Sequence, residues 1–167
     1  LYAHGYGGSR NEIMLHMGRH SAMGYAMCGL DSYGHGLKRW SQDLQAGASL
    51  AVAGLEFARD GVPELSGLVV SGRDRDLNND GLADPGADMW TSDVFHTRDM
   101  VRQSVFEYMQ FVRILRAMDG QQQDQAGRIL GDIDGDGQID IGGAQNTIGM
   151  WGISLGGIIS GVLAGAE

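Results

Sequence analysis

The sequence predicts an α/β fold, a mostly parallel sheet flanked by helices. Three observations point there. Short apolar runs alternate with longer stretches of helical periodicity. The clearest of those stretches, 97–118, repeats Val101, Val105, Tyr108, Met109, Val112 and Leu115 at the helical interval. The third observation is Gly152-Ile153-Ser154-Leu155-Gly156, set between an apolar run (147–151) and a small-residue helix (157–166). That is the setting of a sharp strand-to-helix turn at the carboxyl edge of a sheet.

The elements follow in order. Residues 1–3 form a short apolar strand, leading into the loop His4-Gly5-Tyr6-Gly7-Gly8-Ser9-Arg10. Residues 11–20 form a short helix, and 21–30, with Tyr25, Ala26, Met27 and Cys28, a buried strand. The loop Asp31-Ser32-Tyr33-Gly34-His35-Gly36 comes next. A second helix covers 44–59, with Leu44, Ala48, Ala51, Val52 and Leu55 on one face. A short apolar stretch covers 65–71, and an Asp/Asn-rich loop 73–88. In the helix at 97–118, Asp99 is placed to favour the amino-terminal dipole and Gly120 to stop the chain. A second Asp/Gly-rich loop, 131–143, leads to the last strand.

Composition narrows the function. The 167 residues carry a formal charge of −9, which opposes binding to nucleic acid and to anionic membrane surfaces. No apolar run reaches the length of a transmembrane helix, and no signal-peptide pattern is present. The lone Cys28 has no disulfide partner in the chain and is expected to pack as a small buried hydrophobe.

Three motifs fall in order, each after a predicted strand: His4-Gly5-Tyr6-Gly7-Gly8, Asp31-Ser32-Tyr33-Gly34-His35-Gly36 and Gly152-Ile153-Ser154-Leu155-Gly156-Gly157. In this the chain resembles the α/β-hydrolase superfamily, in its lipase, esterase and peptidase-like branches. The resemblance covers nearly the whole chain apart from the Asp-rich loops. It implies a partial α/β-hydrolase domain over 1–167, from the third strand to the helix after the nucleophile, incomplete at both ends. Ser154 then matches the nucleophile. The backbone N–H of Leu155 matches one oxyanion-hole donor, and that of Tyr6 the second. The 31–36 turn matches an architectural motif. In this fold the acid and the His follow the serine. No His follows Ser154 here, so acid and base are expected from the remainder of the hydrolase domain, on the same or an associated chain. The segment alone is expected to be inactive. Of the five histidines, His4 and His35 belong to loop motifs. His16 and His20, at i and i+4, are read as packing or solvated rather than metal-binding. His96 is read as a helix-start residue.

The two Asp-rich insertions carry a second chemistry. Asp132-Ile133-Asp134-Gly135-Asp136-Gly137-Gln138-Ile139-Asp140 and Asp76-Leu77-Asn78-Asn79-Asp80-Gly81-Leu82-Ala83-Asp84 match the first nine positions of an EF-hand-type calcium loop. Ca²⁺ takes six to eight oxygens at roughly 2.3–2.6 Å, and alternate carboxylates supply them. The expected ligands are Asp132, Asp134, Asp136, Gln138 (through its carbonyl) and Asp140, and Asp76, Asn78, Asp80, Leu82 (through its carbonyl) and Asp84. The Glu of position twelve is missing, replaced by Gly143 and Ala87, and the flanking helix pair is absent. Sites of that kind have Kd values of about 10⁻⁴–10⁻³ M and fill outside the cell, so an extracytoplasmic, bacterial-like location is expected. The expected function is a calcium-stabilised serine hydrolase acting on a small-molecule or lipid ester. The alternatives are a peptidase-type hydrolase and a non-catalytic calcium-binding scaffold.

Overall fold

A computed structural model describes residues 1–36, 72–83, 86 and 88–166. The predicted helix at 44–59, the stretch 65–71, Asp84 and Ala87 lie outside the described residues. Three short parallel strands form a sheet: β1 (Tyr2–Ala3), β2 (Gly29–Leu30) and β3 (Trp151–Gly152), in the order β2-β1-β3. Tyr2 pairs with Gly29 on one side and with Trp151 on the other. Strands this far apart in sequence can pair in parallel only through crossover connections, and helices supply them. The result is a small α/β arrangement.

After β1, Ser9 caps a 3-10 helix (Arg10–Leu15) by accepting from Asn11 N–H, and α1 (Met17–Ser21) follows. The expected strand over 21–30 is corrected to Gly29–Leu30 alone. Ser21 still belongs to α1, and Gly24 at φ +81° closes the turn behind it with Gly24 N–H donating to Ser21 O. Met23 and Tyr25 face solvent, and Cys28 is only half-buried.

The long helix α2 spans Val94–Ala117, starting earlier than the periodicity suggested. Its cap is Asp93, whose carboxylate accepts from the N–H groups of Phe95 and His96; Asp99 instead pairs with Arg98. The buried stripe of α2 is Met100, Ser104, Val105, Tyr108, Val112 and Leu115, with Val101 and Met109 at its margin. It packs with α3 (Leu155–Ala166), through Leu155, Ile159 and Leu163, over Ala3 of β1. The Tyr108 hydroxyl is shared between the carbonyls of Leu30 (2.8 Å) and Tyr2 (3.1 Å), so one side chain ties α2 to two strands. Burial raises its pKa, keeping the donor protonated. No helix among the described residues is long and apolar enough to cross a membrane.

Candidate active site

The turn from β3 into α3 is built by sterics. A Cβ on Gly156 would lie 2.0 Å from Ala3 O, and one on Gly152 would lie 2.4 Å from the Gly156 carbonyl carbon. Only glycine allows strand and helix to approach this closely. The residue between them must absorb the bend. Ser154 has φ +54°, one of two non-glycine residues with positive φ among the described residues. Such a conformation is costly for a side chain with a Cβ and persists only where its surroundings enforce it. Here Gly157 N–H (2.9 Å) and Ile158 N–H (3.2 Å) both donate to Ser154 O, and Ile153 N–H donates to Ala3 O. The Ser154 side chain is left exposed at the carboxyl end of the sheet.

Leu155 is the first residue of α3, and its side chain is buried. First-turn amides have no acceptor within their own helix, and the helix dipole favours negative charge there. The His4–Gly8 loop comes to the same place. A Cβ on Gly5 would lie 3.6 Å from Ile153 O and 3.9 Å from Ser154 Cβ. Tyr6 therefore follows a residue in contact with the elbow. The buried His4 ring braces the loop: Nδ1–H donates to Gly5 O (2.7 Å) while Nε2 accepts from Ser32 N–H (2.9 Å). This pairing requires a neutral imidazole. Glu12 accepts from the Tyr2 hydroxyl at 2.6 Å, and burial with this bond raises the Tyr2 pKa. The 31–36 turn is fixed from two sides. Arg10 donates to Asp31 through its backbone N–H (2.6 Å) and its guanidinium (2.5 Å). Arg73, paired with Glu107, donates to Asp31 O at 3.0 Å.

Each of the five histidine rings has a contact with a residue other than Ser154. His16 packs edge-on to Trp151 and His20 stacks on it, with His20 Nδ1 bonded to His16 O, so the pair is a packing feature. His96 Nε2–H donates to Asp88 O at 2.8 Å. His35 Nδ1–H donates to Tyr33 O, which leaves Nε2 as a bare acceptor against Gly86, where a Cβ would be 2.3 Å away. Burial lowers the His35 pKa to about 4, despite the Tyr33 carbonyl and aided by His4.

The two Asp-rich loops fold alike. In each, the first Asp accepts from the glycine at position six: Gly81 to Asp76 and Gly137 to Asp132, both 2.9 Å. In each, the position-five Asp accepts from position seven: Leu82 to Asp80 and Gln138 to Asp136, both 2.8 Å. Position four is left-handed in both, as Asn79 (φ +62°) and Gly135 (φ +80°). Asp132, Asp134 and Asp136 bring carboxylate oxygens within 4.8 Å of one another and can hold a metal ion. Asp140 turns partly inward, accepting from the N–H groups of Ile133 and Asp134. Gly143, at position twelve, donates its N–H to Leu115 O at the end of α2.

A cavity of about 670 Å³ lies elsewhere, lined by Leu1, Cys28, Met150 and Trp151 just ahead of the strands. Parallel α/β sheets carry their chemistry at the carboxyl ends of the strands, and the strained, exposed serine is there. Sequence patterns gave no sign of the tilted contact between the rings of Tyr6, in the loop that reaches the Ser154 turn, and Trp90. Comparison with protein-family models, curated proteins and solved structures found no match.

Proposed function

We propose that this chain carries the nucleophile and oxyanion hole of a serine hydrolase that cleaves carboxylic esters. The observation that carries the reading is Ser154 at φ +54°, held by Gly152 and Gly156 beside Gly5. In the proposed reaction Ser154 Oγ attacks the ester carbonyl and its proton passes to a general base. The Leu155 and Tyr6 N–H groups stabilise the oxyanion, a contribution of about 10²–10³-fold in rate for one such donor. The alcohol leaves with a proton, and water then hydrolyses the acyl-serine. No hydrogen bond or ring contact found among the described residues joins a histidine to Ser154, and in this reading base and acid are supplied from outside these residues.

Calcium completes the proposal. Asp132, Asp134, Asp136, Gln138 and Asp140 would hold one ion, and Asp76, Asn78, Asp80, Leu82 and Asp84 a second, each in a structural role. Such weak sites would fill at extracellular calcium, which supports a location outside the cytoplasm.

The test is a fluorophosphonate probe on the native protein, followed by peptide mass spectrometry. Label on Ser154, lost together with ester hydrolysis in Ser154→Ala, is the expected result. Folded, calcium-loaded protein that takes no label would favour a non-catalytic scaffold.

A further inference from the structure

Four rings run outward from the core beside the elbow. His4 and His35 are fully buried, with centroids 5.0 Å apart. Tyr6 meets His35 edge-on at 6.1 Å and 76°. Trp90 meets Tyr6 at 6.1 Å and 54°. The last two rings are each 44% exposed. Tyr6 is one residue beyond Gly5, which touches the Ser154 turn, and Ile153 beside the serine is also half-exposed. Trp90 is anchored from behind. Met89 is fully buried, Met89 N–H donates to Gly86 O, and Gly86 N–H donates to Gly34 O. His96 fixes Asp88 O in the same segment.

Two large aromatic rings are thus held half-exposed by a buried scaffold, the nearer of them one residue beyond Gly5, which touches the Ser154 turn. Both rings present part of their surface to solvent. A third ring fits such an array edge-to-face, at centroid separations of about 4.5–7 Å. The net charge of −9 disfavours an anionic substrate. We infer that Trp90 and Tyr6 form a specificity wall that selects uncharged esters carrying an aromatic ring next to the scissile bond. This inference rests on Ser154 being the nucleophile.

The experiment uses the native, full-length protein and two matched ester pairs, followed by acid release. Ethyl phenylacetate is compared with ethyl cyclohexylacetate, and benzyl acetate with cyclohexylmethyl acetate. The expected result is a preference for the phenyl member of at least one pair. Trp90→Ala then lowers kcat/KM for that ester about five- to tenfold more than for its cyclohexyl counterpart, mainly through KM. Trp90→Phe restores most of the difference. Should Trp90→Ala fail to fold, Trp90→Leu takes its place in the same comparison. Equal losses within both pairs overturn the wall while leaving Ser154 standing, provided Ser154→Ala abolishes all turnover. Turnover that survives in Ser154→Ala overturns both, and a native protein that takes fluorophosphonate label on Ser154 yet cleaves none of the four esters overturns the wall alone.

Discussion

Ser154 shows at the scale of one residue how a proposed function sets itself against stability. A Cβ at φ +54° is strained, and glycine would relieve the strain. Ser154→Gly is therefore expected to raise the unfolding free energy by about 1 kcal/mol, net of the extra chain entropy of glycine, while abolishing hydrolysis. Denaturant titration of the two proteins checks this. A destabilised Ser154→Gly would mean that the elbow is not under strain. His35 offers a second residue-scale prediction. Its folded pKa of about 4 lies below the ordinary value of 6.5. Above pH 6.5 neither state is protonated and the contribution of His35 is complete. Between 6.5 and 4 the unfolded chain binds a proton that the folded chain refuses, so stability falls as pH falls. The loss approaches about 3 kcal/mol near pH 4. An NMR titration that found the His35 imidazole protonating near 6.5 in the folded protein would refute this. Both residues belong to motifs visible in the sequence. The flanking glycines made the strain at Ser154 legible in the sequence, and the structure bears it out; the bare Nε2 of His35 was not visible there, because it depends on Gly86 packing against the ring.

At the scale of the element, α2 and the strand at 1–3 were legible, and the bounds of the other two strands were not. Helical periodicity repeats over many residues, so a helix of 24 residues announces itself even when its start is misplaced. The start was missed because the apolar repeat begins only at Val101, whereas the helix begins at Val94 behind its Asp93 cap. Only geometry shows that Asp93 receives the Phe95 and His96 amides. Two-residue strands carry no period at all. The stretch 21–30 is apolar like a strand, but α1 and the Gly24 turn occupy most of it. Besides the packing over Ala3, one hydroxyl ties the strands to α2. Tyr108→Phe removes the donor shared by Leu30 O and Tyr2 O, so each carbonyl loses one hydrogen bond. The expected cost is about 1–3 kcal/mol, with the ring packing unchanged. Chemical denaturation measures it. A neutral Tyr108→Phe would show that the two carbonyls find other donors.

For the whole molecule, the question is why acidic loops lie where they do. The 131–143 loop bridges the end of α2 and the approach to β3: Gly143 N–H reaches Leu115 O, and Ile139 packs toward Gly120 and Gly131. The 76–83 loop is seated beside the 31–36 turn, with Leu77 against Gly34 and an isolated bridge from Asp74 to Gly34. Each loop therefore braces a segment that leads to the proposed site. The repeated Asp pattern was plain in the sequence, whereas these attachments join residues far apart in it. With no ion bound, the carboxylates of Asp132, Asp134 and Asp136 face one another and repel. A cation that binds only the folded loops would add RT ln(1 + [Ca²⁺]/Kd). That is about 0.7–1.8 kcal/mol at ~2 mM Ca²⁺ for Kd values of ~10⁻³–10⁻⁴ M, and a gain of a few °C in Tm. Magnesium at the same concentration should give less, because its octahedral demand suits a flexible carboxylate loop poorly. Asp134→Ala should shrink the calcium-dependent shift and slightly raise Tm in chelator, since it removes one of three mutually repelling charges. Melting curves that coincide in calcium and in chelator would leave the loops as self-capped acidic turns, held by the hydrogen bonds from Gly81 and Gly137 alone.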